Sequence, residues 1–550
     1  MSCCILETSA KTNKTGRIRK VKCDEGRPAC LRCVSTGRVC DGYGIWGGGG
    51  NFYGHRESSV VSKDGSITPW PPTGVSILAQ NAEESRYFEW FKCRTSKKLA
   101  GPFRLTFWET LLFQASLNEP AILHAVLTLS SVHKKGVLDS TDQSRNADPP
   151  DEHEQFMLQH YLKAIHHLQP HFEARDKPAI RVALITCLVF VCIEFLRGHF
   201  ETAQTHLDNG LKVFRELQIP SDVDHGVINL KSSAESTDDW LVEAFCRFHF
   251  QVELFKQTYR HTCTFVQPLA SEPLITVFRF AREAWKILER LFNRIFYLTE
   301  LCRKHRVSNH FSTELPSGLV RLHQRIQEEL DQWLHTYEVS VKDMQGQDSD
   351  GFVRRILCEY HTMAGIMADA SLRPDDESVF DSHTERFVFL TNQSAYMWKT
   401  RRSAHQDNPL PGRISSMARS IIDMGWIPPL YYTALKCRVH RIRLHAIKLL
   451  ESACHIEGIW DSNVAACITR KVMEIEEKDF YPLTDAADDF TLCSSPEAHD
   501  LSLPTLPQAN RIHEVKVILF DRPTDSVFFF YRQKQISAEW KEARVSIGSG

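Results

Sequence analysis

Four cysteines, Cys23, Cys30, Cys33 and Cys40, stand at the spacing C-x6-C-x2-C-x6-C. Thiolates are preferred ligands of structural zinc, and four of them close one tetrahedral site. A segment this short cannot bury enough apolar surface to fold alone, so metal binding would be its folding energy. A disordered basic arm with incidental cysteines is the bland alternative, and the symmetric spacing about a C-x-x-C argues against it. The run "KTGRIRKVK" leads into the first of these cysteines. It reads as a nuclear localisation patch or as a polyanion contact, and the two are compatible. Residues 11–40 carry nine Lys and Arg against Asp24 and Glu25, a net charge of +7 in a chain whose total is −2. A basic head on a mildly acidic body is expected to meet nucleic acid through the head.

The elements that must carry this head follow from composition. The chain has 550 residues and ordinary globular content, 42% hydrophobic and 24% charged. The opening "MSCCILETSAKTNK" lacks the apolar core of a secretory signal. The longest uncharged apolar run, "VALITCLVFVCI" at 182–193, has 12 residues, short of the ~20 that span a bilayer. It reads as a core helix, and no membrane partner is expected. A reducing setting follows, and most of the eleven cysteines beyond residue 40, such as Cys187 and Cys192, read as small buried hydrophobes.

The chain divides into an atypical N-terminus (1–16), the cysteine head (17–43), a Gly/Ser/Pro-rich linker (44–83), a helical body (84–478) and an acidic loop with a C-terminal hairpin (479–550). A G-x-G-x-x-G at Gly42, Gly44 and Gly47 has no strand before it and no helix after it, so a dinucleotide site is not expected. In the body, Asn118 and Pro120 mark a helix start and Gly136 a stop. Met157, Tyr161, Ala164, Ile165 and Leu168 define one apolar helix face. A helical hairpin runs through 179–217, and long helices are expected over 282–305, 318–337 and 429–453. "IHEVKVILFD" and "SVFFFYR" predict the hairpin. The fold class is therefore an all-α body with a small zinc-cluster head and a short C-terminal β-hairpin.

"RIRKVKCDEGRPACLRC" followed by Cys40 resembles the fungal binuclear cluster of the Zn2Cys6 transcription factors. Cys23, Cys30, Cys33 and Cys40 match the third to sixth family cysteines, and Pro28 the family's loop proline. "NEPAILHAVLTLSSVHK" and "ALITCLVFVCIEFLRGHFETAQTHLDNGL" resemble the helical region that follows many such clusters. The resemblance implies a nuclear, sequence-specific regulator of RNA polymerase II genes that reads CGG-type triplets. It implies Arg19 and Lys20 on base edges, and Arg17, Lys22 and Arg38 on phosphates. DNA is the expected partner, with a homodimer and coactivators as further ones.

The departure is at the first two family cysteines, whose positions hold Asn13 and Gly16. The family binds two Zn2+ ions, bridged by the first cysteine. The chain as written is expected to hold at most one. Either residues 1–16 replace the natural start or the cluster is degenerate, and the intact remainder favours the first. Cys3 and Cys4 are adjacent, hence poor substitutes. The rival readings are a non-DNA-binding interaction protein with a dead head and a helical enzyme.

The sequence shows no P-loop, nucleophile elbow or H-E-x-x-H. His153, His160, His167 and His171 fall near one helix face. They read as solvated surface histidines rather than metal ligands. The acidic-aromatic stretch 474–492 reads equally as an activation segment or a solvated loop.

Overall fold

The computed structural model describes residues 81–138, 152–174, 176–217, 228–229, 236–256, 265–266, 277–308, 315–342, 344, 351–406, 420–453, 455–478, 480–481, 490–521, 526–533 and 537–546. The cysteine head and the linker lie outside them. The body begins with α1 (Ala82–Trp90), whose first turn is capped by Asn81 accepting from Glu84 N at 2.8 Å. Next come α2 (Pro120–Leu138), α3 (Glu152–Ala174), α4 (Lys177–Arg197) and α5 (Phe200–Leu217). The middle of the body is α6 (Thr237–Phe255), α7 (Ala281–Ser308), α8 (Ser317–Ser340), α9 (Gly351–Ser371) and α10 (Thr384–Gln406). It ends with α11 (Ile427–Lys436), α12 (His440–Ala453) and α13 (Ser462–Glu477).

α4 is the spine of the first half. Asp176 caps it by accepting from Ala179 N, Pro178 sits in its first turn, and Gly198 ends it in the left-handed region at φ 76°. It is long and apolar enough to cross a membrane, yet it is apolar all round because α2, α3 and α5 cover it. Leu184, Leu188 and Val191 are all buried, as a core helix requires. Cys192 is buried too, whereas Cys187 is half-buried and donates its thiol to His206 O.

Three expectations shift. α2 runs through Gly136 to Leu138, because the tertiary contacts with α3 outweigh the roughly 1 kcal/mol penalty of a helical glycine. The apolar face of α3 is Phe156, Met157, Ala164 and Leu168 with His160 among them, while Tyr161 is half-buried and Ile165 exposed. The helix expected over 429–453 is broken at Cys437, which is extended at φ −70°, ψ 140°. The break carries Arg438 into a buried pair of carboxylates, described below.

The C-terminal hairpin is the start of a three-stranded antiparallel sheet: β1 (Glu514–Ile518), β2 (Ser526–Gln533) and β3 (Ser537–Ser546), with β2 central. The third strand is an addition to the expected pair. Val527 and Phe529 of β2 enter the same hydrophobic core as Tyr87 near the start of the body. Asp521 reaches back to α5, accepting from Thr202 Oγ1 at 2.6 Å and from Glu201 N at 3.1 Å. The sheet is thus bound to the helical body at both ends of the sequence.

Candidate functional site

None of the predicted site residues, Cys23, Cys30, Cys33, Cys40, Arg17, Arg19, Lys20 and Lys22, falls among the described residues. The donor set itself fits one zinc and not two, since four thiolates complete a single tetrahedron. The described residues of the body carry several buried polar constellations.

In the first, Arg247 of α6 donates to both carboxylate oxygens of Asp423 at 2.7 Å and to Glu289 at 3.0 Å. Its guanidinium lies over Trp285, 5.1 Å from the ring centre, and Phe103 stacks on the same indole. The segment holding Asp423 is threaded through the core, with Ile422 N donating to Leu99 O and Gln251 donating to Ile422 O. Gly101 is required there, because it has φ 66° and a Cβ would meet Asp423 Cβ at 2.8 Å.

The second lies where the chain turns into α11. Both oxygens of the Glu457 carboxylate accept backbone N–H groups, from Trp426 and Ile427 at 3.0 Å. A carboxylate at a helix N-terminus is stabilised by the orphan N–H groups and by the helix dipole.

The third is a charge network. Glu377 takes Lys436 and Arg438, each at 2.8 Å. Arg438 also reaches Glu476 at 3.3 Å, Arg443 pairs with Glu476 at 2.6 Å and Glu477 at 3.2 Å, and His440 closes on Glu477 at 2.6 Å. Glu476 also accepts from Ile512 N, next to the C-terminal sheet. Glu476 and Glu477, in the stretch read as an activation segment or solvated loop, are therefore buried structural anions. Residues 479 and 482–489 of that stretch lie outside the described residues.

Against the solvated reading, the histidines of α3 face α1 and α2. His160 is buried, with Nδ1 at 3.0 Å from His124 Nδ1 and Nε2 at 3.8 Å from Glu84 Oε1. His153 is bonded to the Tyr87 hydroxyl, His167 stacks on His124, and His171 pairs with Glu119 at 3.5 Å. Burial, with Lys163 and His167 adding to it, pulls the His124 pKa down to about 4. Burial, with His124 and Lys163 adding to it, pulls His160 to about 3. The sequence signal for this layer was present: three of the four histidines recur every seven residues on α3. The acceptors opposite them come from other helices and gave no signal.

Two family models match the chain. Residues 15–45 match the fungal Zn(2)-Cys(6) binuclear cluster domain, and residues 87–250 match the fungal specific transcription factor domain. These two segments are similar to the two domains of fungal Zn2Cys6 transcription factors. The chain is similar to transcription regulator lscL of Purpureocillium lilacinum, 30% identical over 213 residues, covering 36% of this chain and 48% of that protein. It is also similar to the aspercryptin biosynthesis cluster-specific transcription regulator atnN of Emericella nidulans, 31% identical over 223 residues, covering 37% of this chain and 34% of the relative. The alignments thus span about half and about a third of those regulators. No solved structure matches the chain. In these Zn2Cys6 terms, the helical-region match runs from Tyr87 in α1 to Phe250 in α6, so it includes the histidine layer and the α4 spine. The cluster match, from 15 to 45, holds four cysteines and not six.

Proposed function

We propose that the chain is a nuclear DNA-binding regulator of RNA polymerase II transcription, with residues 17–43 as its DNA-contacting head and the helical body as its regulatory part. The observation that carries the reading is the joint match of a zinc-cluster segment and a transcription-factor helical region in one chain, in that order. Cys23, Cys30, Cys33 and Cys40 hold zinc in this proposal. Arg19 and Lys20 face the O6 and N7 acceptors of guanine in a CGG-type triplet, and Arg17 and Lys22 take phosphates. The matches to transcription regulators favour this over an enzyme. A homodimer through the outer face of α3, where Leu158, Leu162, Ile165 and Phe172 are exposed, and coactivator contacts through the body complete the proposal.

Asn13 and Gly16 support a second reading of the head, as a degenerate cluster on a protein that works through partners. The two are separated by one experiment on the full chain, with metal analysis beside competition binding to CGG and scrambled duplexes. For the chain as written we expect one head zinc at most and binding that is steeply salt-dependent and nearly indifferent to sequence. Asn13→Cys with Gly16→Cys should add one zinc and bring CGG preference. CGG discrimination by the unmodified chain would show that Cys3 or Cys4 completes the cluster. Absence of discrimination in the double variant would leave the partner-only reading.

A further inference from the structure

We propose that Glu84, His124 and His160 form a zinc site inside the helical body, separate from the cysteine head, which staples α1 to α2 and α3. One ligand atom from each residue lies within 4.8 Å of both others, and all three side chains are buried. They come from three different helices, so an ion there would add a coordination link to the hydrogen bonds that already join them. The two Nδ1 atoms are 3.0 Å apart. That is close to the edge of a zinc tetrahedron, about 3.3 Å for metal–nitrogen bonds of ordinary length. The donor set, two imidazoles and one carboxylate, suits zinc better than magnesium or calcium, which favour all-oxygen shells. The Nδ1–Nδ1 contact is a hydrogen bond without metal, so its proton must move to the far ring nitrogen or leave before both Nδ1 atoms ligate. Three protein ligands leave the fourth position to solvent.

The surroundings hold the ligands in place. Phe156 packs tilted against His160, with ring centres 4.0 Å apart, and His167 stacks on His124 at 5.3 Å. Asn81 fixes the turn carrying Glu84. One group opposes the metal: the Lys163 ammonium lies 3.7 Å from Glu84 Oε1. Its side chain is half-exposed, and a flexible lysine can withdraw to water while its stem stays packed. Without metal, Lys163 balances the Glu84 charge. With metal, it weakens the site by repulsion.

The test uses the full chain, purified without a histidine tag, in which Cys23, Cys30, Cys33 and Cys40 are replaced by Ser so that the head holds no metal. Titration with Co2+ should give one equivalent with ligand-field absorption of nitrogen and oxygen coordination and no thiolate charge-transfer band. Zinc should displace it and raise the thermal midpoint. Glu84→Gln and His160→Gln should each weaken binding by at least about 100-fold. Lys163→Met, an exposed position that leaves the fold intact, should tighten it by roughly tenfold, because a like charge is removed. No metal bound by the four-serine chain would overturn the proposal. So would binding that Glu84→Gln and Lys163→Met leave unchanged. If His160→Gln fails to fold, those two variants still decide.

Discussion

The two ends of the body bury polar groups in opposite ways. Between α1, α2 and α3 the buried titratable groups are mostly imidazoles, kept neutral by burial. Around α11, α12 and α13 they are ionised carboxylates and guanidiniums, each with several partners. Removing a charge from water costs several kcal/mol, so it is tolerated only where the partners are numerous and well placed. Arg438 and Arg443 meet that condition with Glu377, Glu476 and Glu477. A neutral imidazole carries no such requirement, and its layer can afford looser geometry. The difference makes the C-terminal network an ionic lock for the sheet, while the histidine layer is responsive to protons and metals.

The largest expected effect breaks the lock. Arg438→Met should leave Glu377 and Glu476 short of a cation and cost about 3–5 kcal/mol in a urea unfolding curve. A loss under about 1 kcal/mol would show that the network relaxes easily and that the contrast is overstated.

The acid response should come from the histidine side. Burial, with the Lys98 ammonium adding to it, pulls His133 down to about 4 from an ordinary 6.5. The folded state therefore takes up that proton less readily than the unfolded chain. Its contribution is fully present above pH 6.5 and is lost as pH falls towards 4, by about 3 kcal/mol. His133→Gln, which keeps a partner for Thr95 Oγ1, should flatten the stability–pH curve in that window. An unchanged slope would remove His133 as its source.

Glu457→Gln replaces one carboxylate oxygen by an N–H2 facing a backbone N–H at the start of α11. A cost of about 2 kcal/mol is expected by thermal unfolding. The smallest effect lies at the rim of the histidine layer. Lys135 pairs with Glu154 at 3.0 Å across α2 and α3, in partial exposure. Lys135→Ala should change stability by less than about 1 kcal/mol. A larger change would mean that the layer's rim is not simply solvated.

Much of the body was legible because it rests on local signals. The apolar run at 182–193, Asp176 and Gly198 are enough to define α4 as a helix; that it lies in a core follows from the cover of α2, α3 and α5. The β-branched and aromatic runs near the C-terminus announced strands for a similar reason. The expectation of zinc in the head rests on the cysteine spacing alone, since ligand type and count are properties of the chain, and those residues lie outside the described ones. Tertiary structure alone decided the rest. His160 sits on a helix whose own sequence allows either a wet or a dry side, and only Glu84 and His124 from other helices fix it as buried. Arg438 interrupts a continuous helical pattern where two glutamates, Glu476 more than thirty residues later and Glu377 some sixty residues earlier, meet its charge. Local periodicity determines which residues share a face; what that face meets depends on residues distant in the chain, and a buried charge or imidazole takes its state from them.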